Sequence, residues 1–129
     1  METLRLEEAV VVTAPDGCMV LPLLSYPSGS LAHCTLALGG VWAAVRHRVI
    51  QEIWYFISGS GDVWRCEPAS GEEQFVAVAP GVTLTIPEGV EFQFRNTGAD
   101  ALVFLCFTMP AWPGEEVATV VPGKWEPRL

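Results

Sequence analysis

Proline and glycine interrupt this chain every few residues, and that spacing decides what it can fold into. Ten prolines and twelve glycines are spread over 129 residues, and the short runs between them are rich in Val, Leu, Ile, Phe, Trp and Thr. Helical signals are scarce. Short β-branched and aromatic runs bounded by turn residues read as the strands of an all-β sandwich or barrel. Ten candidate strands follow: Val10–Thr13, Met19–Leu24, Leu31–Leu38, Ala44–Val49, Ile53–Ser58, Gly61–Cys66, Gln74–Val78, Thr83–Ile86, Glu91–Asn96 and Ala101–Thr108. Turn signals separate them, among them Pro15-Asp16-Gly17, Pro27-Ser28-Gly29, Gly39-Gly40, Pro80-Gly81 and Pro87-Glu88-Gly89. Gly59 sits in the turn of an expected hairpin, Ile57 to Val63.

The length suits one domain, residues 1–129, with the barrel over about 18–109 and a tail over 110–129. The tail carries four prolines and two tryptophans, and is expected to lie against the barrel or a partner subunit. A net charge of -8 argues against a nucleic-acid groove, which needs a basic face for phosphates. None of the four cysteines forms a C-x-x-C pair, which argues against a zinc ribbon or a thioredoxin-like site. The start, METLRLEEAVVV, is acidic where a signal peptide is basic, so a cytoplasmic protein with reduced thiols is expected. Cys34 and Cys106 lie in apolar runs and read as small core residues. No apolar stretch reaches the roughly 20 residues of a membrane span.

Two segments share a layout. The first is Gly40-x5-Arg46-x-Arg48-x3-Glu52-x6-Gly59, and the second is Gly81-x5-Pro87-x-Gly89-x2-Phe92-x3-Asn96. Their spacings resemble the paired motifs of the cupin family, G-x5-H-x-H-x3,4-E-x6-G and G-x5-P-x-G-x2-H-x3-N. The resemblance implies a cupin-type double-stranded β-helix, a jelly-roll barrel whose histidines hold a metal. Here Arg46, Arg48 and Phe92 stand at the histidine positions, which implies a site with no metal cofactor.

Alternate residues of a barrel strand point inward. With Glu52 inward, Trp54 and Phe56 follow, and Phe92 carries Phe94 with it. The expected cavity therefore has one carboxylate and several aromatic faces. Trp54, Tyr55, Phe56 and Trp64 could stack on a ring-bearing ligand or serve as core. Arg46 and Arg48 share one face of their strand. Facing inward, they form a two-guanidinium clamp for a carboxylate or phosphate; facing outward, they are surface residues.

A second register fits as well: Gly39-x5-Val45-x-His47-x4-Glu52-x6-Gly59, with one extra residue in the turn before Glu52. His47 then takes the second histidine position. With Glu52, and with His33 from an earlier strand, it makes up a two-histidine, one-carboxylate set in composition.

Two functions stand open at this stage. One is a metal-independent module that binds a small anionic or ring-bearing metabolite through Arg46, Arg48, Trp54, Phe56, Phe92 and Phe94. The other is an isomerase, epimerase or cyclase with Glu52 or His47 as acid or base. Family resemblance and exposed strand edges also point to a homodimer.

Overall fold

The computed structural model describes residues 1–13, 18–114 and 117–128. The turn expected at Pro15-Asp16-Gly17 lies outside the described residues. The strands are β1 (Val12–Thr13), β2 (Met19–Tyr26), β3 (Gly29–Leu36), β4 (Val45–His47), β5 (Gln51–Ser58), β6 (Gly61–Glu67), β7 (Glu72–Val78), β8 (Thr83–Ile86), β9 (Glu91–Asn96), β10 (Leu102–Met109) and β11 (Ala118–Val120). All ten expected strands are present, each within two residues of its expected ends. The eleventh, β11, comes from the tail, where no strand pattern was legible. A 3-10 turn spans Leu6–Glu8, and among the described residues no helix is long and apolar enough to cross a membrane.

Two antiparallel sheets face each other in a jelly roll. One is ordered β1-β2-β3-β10-β5-β8 and the other β11-β4-β9-β6-β7. β1-β2, β2-β3 and β6-β7 are consecutive hairpins, while β3-β10, β10-β5, β5-β8, β4-β9 and β6-β9 join strands distant in sequence. The alternation expected of a half-buried strand is clean in β5, where Glu52, Trp54 and Phe56 are buried and Ile53, Tyr55 and Ile57 are exposed. Phe56, Val63, Val78, Leu36 and Leu102 are almost wholly buried between the sheets. Each such side chain contributes about 1.5–3 kcal/mol by leaving water.

Two motif residues act as fasteners. Gly59 leaves β5 at φ 82°, where an added Cβ would also run into the Ala101 carbonyl and the Leu102 Cα. Asn96 ends β9 with its amide nitrogen within hydrogen-bond distance of the carbonyls of Leu36, Ala37 and Asp100. Its side-chain oxygen accepts the Gly98 N–H at 3.0 Å. The second-motif asparagine thus ties three chain segments together.

The outer faces of the two sheets differ. The β9 side is covered by the tail. Gln93, fully buried, donates to the carbonyls of Trp42 and Trp125 and accepts the backbone N–H groups of Lys124 and Trp125. Arg95 stacks over the Trp125 ring at 4.2 Å while pairing with Asp62, and Lys124 pairs with Glu73 at 2.7 Å. The Lys124 and Trp64 contacts hold the Glu73 carboxyl below its ordinary range. On the other sheet, the outward residues of β3, β5, β8 and β10 include Leu31, His33, Ile53, Tyr55, Ile57, Thr83, Thr85, Leu105 and Phe107. None of them is Asp, Glu, Lys or Arg.

Candidate functional site

The inward residues of five strands surround a cavity of about 660 Å³. β3 supplies Ala32 and Cys34, β10 supplies Phe104, Cys106 and Thr108, and β5 supplies Glu52 and Trp54. From the facing sheet, β4 supplies Val45 and His47, and β9 supplies Phe92 and Phe94. Trp42, Cys18 and the β2 residues Val20, Pro22, Leu23 and Ser25 add to the walls, while Trp112, Ala118 and Val120 of the tail extend the lining. The volume falls within the range of small-molecule sites, and the lining is apolar with few polar groups, as such sites usually are.

β4 settles the register. Val45 and His47 are buried and line the cavity, whereas Arg46 is half-buried and Arg48 exposed, on the opposite face. The chain adopts the second register, with Gly39 at φ 71° opening the first motif and four residues between His47 and Glu52. The extra residue is absorbed at Val49, which sits at φ 64°, with its N–H donated to Glu88 Oε1 at 2.9 Å. A β-branched residue at positive φ is strained. Turning two guanidinium groups into an aromatic interior would cost more, because a buried charge needs a partner. The expected arginine clamp is therefore corrected: Arg46 and Arg48 do not line the cavity.

Two of the three histidine positions are thus apolar. Val45 stands directly opposite Phe92 across the β4–β9 pair. His47 occupies the third, beside the retained glutamate. Its Nδ1 lies 3.7 Å from Glu52 Oε1 and makes no hydrogen bond. The imidazole meets the rings of Phe92 and Trp112 edge to face, at 5.1 and 5.2 Å. Burial pulls its pKa below the ordinary value, against the opposing pull of Glu52.

Glu52 is 5% exposed and held at both oxygens. Trp54 Nε1–H donates to Oε1 at 3.1 Å, and the Thr108 hydroxyl donates to Oε2 at 2.7 Å. Cys106 Sγ lies 3.6 Å from the same hydroxyl. Burial pushes the thiols of Cys34 and Cys106 well above their ordinary pKa, so both stay protonated.

Of the other expected residues, Trp54, Phe92 and Phe94 line the cavity. Phe56 does not: it is fully buried against Phe104, ring centroids 5.0 Å apart, and serves as core. Tyr55 points to the outer face, and Trp64 lies against Glu73 and Lys124 under the tail. His33 has the opposite strand parity to Cys34 and faces away from the cavity, so His33, His47 and Glu52 do not converge. The lining residues Trp42, Phe104, Cys106, Thr108 and Trp112 were not singled out as site residues from sequence. Period-two alternation along Phe104, Cys106 and Thr108 carried a usable signal. Trp112, in the proline-rich tail, carried none.

Residues 32–108 match the family described as Cupin domain, more than half of the chain. The chain belongs to the cupin family. Its barrel is similar to that of the capsular polysaccharide assembling protein CapF from Staphylococcus aureus, with a TM-score of 0.77 at 15% identity over 88% of this chain. The chain spans 34% of that CapF chain. It is also similar to a predicted oxalate decarboxylase from Thermotoga maritima (TM-score 0.71, 20% identity, 84% of this chain and 99% of that one). A third likeness is to the Schizosaccharomyces pombe Cnp3 cupin domain (TM-score 0.70, 11% identity, 84% of this chain and 73% of that one). No curated protein matches the chain.

A cupin metal needs a donor set that this cavity does not assemble. His47 and Glu52 remain at motif positions, but Val45 and Phe92 offer no lone pair. Among the described residues, no group of three or more His, Cys, Asp or Glu side chains could hold a metal ion. The residues present do not fit the family's metal centre.

Proposed function

We propose that this cupin binds a small ring-bearing metabolite in its barrel cavity without a metal. The observation that carries the reading is the continuous aromatic wall of Trp42, Trp54, Phe92, Phe94 and Phe104 around one hydrogen-bonded carboxylate and one imidazole. Stacking and apolar burial supply affinity there, while Glu52 and His47 supply orientation. The anionic ligand expected from the sequence loses its support with the arginines outside. Titrating a panel of phenols, heteroaromatics and aromatic amines while following tryptophan fluorescence tests the reading. Saturable binding that weakens in Trp54→Leu is the expected result, and a panel with no saturable binder would refute it.

The pairing of His47 with Glu52 favours a second reading, an acid–base isomerase, epimerase or cyclase. A neutral imidazole with an open Nδ1 can accept a proton, and the carboxylate beside it stabilises the imidazolium that results. Loss of turnover in both His47→Gln and Glu52→Gln separates this from simple binding.

The uncovered sheet face supports a homodimer. It carries no ionised side chain on a chain of net charge -8, so two copies can meet there without like-charge contact. Sedimentation is expected to give a dimer that Tyr55→Lys and Leu105→Glu each convert to a monomer; a monomeric wild type would end this assignment.

A further inference from the structure

The cavity's charge inventory has one sign. Among the described residues, its lining holds a single acidic residue, Glu52, and no lysine or arginine. Glu52 Oε1 accepts from an indole N–H, a group that can only donate, and Oε2 accepts from Thr108, so both oxygens serve as acceptors. The buried thiols are held neutral, and burial moves His47 toward its neutral form. Among the described residues, Glu52 thus has no lysine or arginine beside it in the lining, and it is 5% exposed inside a wall of aromatic rings.

A buried charge without a partner is costly, and a cationic guest removes that cost. Aromatic faces attract cations through the ring quadrupole, worth about 2 kcal/mol when the cation is desolvated. A metal ion is a poor candidate, because the cavity lacks the donors to replace its water shell. A primary ammonium brings three N–H donors, each of which needs an acceptor in a mostly apolar lining. A quaternary ammonium, bonded to four carbons, brings none and spreads its charge over methyl groups that pack against rings.

We infer that the cavity selects a quaternary, methyl-bearing organic ammonium, with Glu52 as counter-ion and Trp54, Phe92 and Trp112 as aromatic contacts. This rests on the cavity being a ligand site, and it sets the sign of the ligand's charge. The expectation of an anion is thereby inverted.

The test is a matched pair: 3-hydroxyphenyltrimethylammonium and its neutral carbon isostere 3-tert-butylphenol, titrated into the full-length protein by calorimetry. The cation is expected to bind at least about tenfold more tightly. Glu52→Gln should reduce that preference to less than about threefold. If the two bind equally, or the phenol binds more tightly, the cation inference falls and the cavity reading stands. If neither binds, both fall. The wild-type comparison decides the matter alone should Glu52→Gln fail to fold.

Discussion

Thr108 stands directly opposite Glu52 on β10 and β5, and its hydroxyl donates to Glu52 Oε2 at 2.7 Å. The contact fixes the carboxylate that points into the cavity. Thr108→Val keeps the shape of the side chain and removes the donor, leaving Glu52 with the Trp54 N–H alone. The expected cost is about 1–3 kcal/mol in chemical denaturation, the penalty for an undersatisfied buried acceptor. In the Glu52→Gln background the same change should cost about 1 kcal/mol less, because a neutral amide loses less with its partner than a carboxylate does.

His47 makes stability depend on pH with a definite sign. Its folded pKa lies below the unfolded value, with burial as the main cause. Above the unfolded value both states are neutral and the group contributes nothing. As pH falls below it, the unfolded state takes up the proton first, so stability declines until the folded pKa is passed. Glu52, the charged group facing His47, reduces the shift and does not reverse it. Denaturation midpoints between pH 8 and pH 5 should fall more in the wild type than in His47→Phe. A wild-type curve no steeper than that of the variant in this window would contradict the assignment.

How much was legible in the sequence depends on which forces act locally. Strand positions were, because a run such as Gln74–Val78 between turn residues has few other ways to satisfy its backbone. The inward set Glu52, Trp54, Phe92 and Phe94 was too, because period two is a property of the strand itself. The phase of β4 was not. Arg46/Arg48 and Val45/His47 alternate equally well, and both spacings fit the motif. The choice rests on the difference between burying two guanidinium groups and straining one valine, which no local pattern displays. The tail was illegible for a related reason: β11 is a strand because β4 offers an edge, with Ala118 opposite His47 and Val120 opposite Val45.

Val49 records the cost of that choice. Its φ of 64° suits glycine or asparagine and not a β-branched side chain. The residue is exposed, so replacing it removes little packing. Val49→Gly or Val49→Asn should raise stability by about 0.5–1 kcal/mol, with any gain for glycine reduced by the added freedom of the unfolded chain. Thermal melts of both variants check this. A loss of stability in both would mean that the turn is not left-handed at this position.

Asn96 offers three carbonyls an amide nitrogen. Asn96→Asp places an acceptor where a donor is required and sets it against the oxygens of Leu36, Ala37 and Asp100. The loss should exceed about 3 kcal/mol at neutral pH, more than Asn96→Ala loses by mere absence. It should ease on acidification, since a protonated carboxyl regains one donor. Its folded pKa is then raised, so the variant loses stability as pH rises. Urea midpoints of both variants at pH 5 and pH 7.5 test the ordering.

Trp112 lies 5.2 Å from the His47 ring, and its backbone N–H is held by Ser30 Oγ at 2.9 Å. The residue is 40% exposed, so it shields His47 on one side while facing solvent on the other. Trp112→Ala should cost only about 1–2 kcal/mol of stability, because much of the ring is already in water. Its effect on His47 should be larger in kind: water reaches the imidazole, burial weakens, and the His47 pKa rises toward its ordinary value. The chain has two histidines, so a proton NMR titration with His33→Gln as the assignment control resolves the shift directly. A His47 titration unchanged by Trp112→Ala would show that the barrel wall alone keeps the imidazole dry.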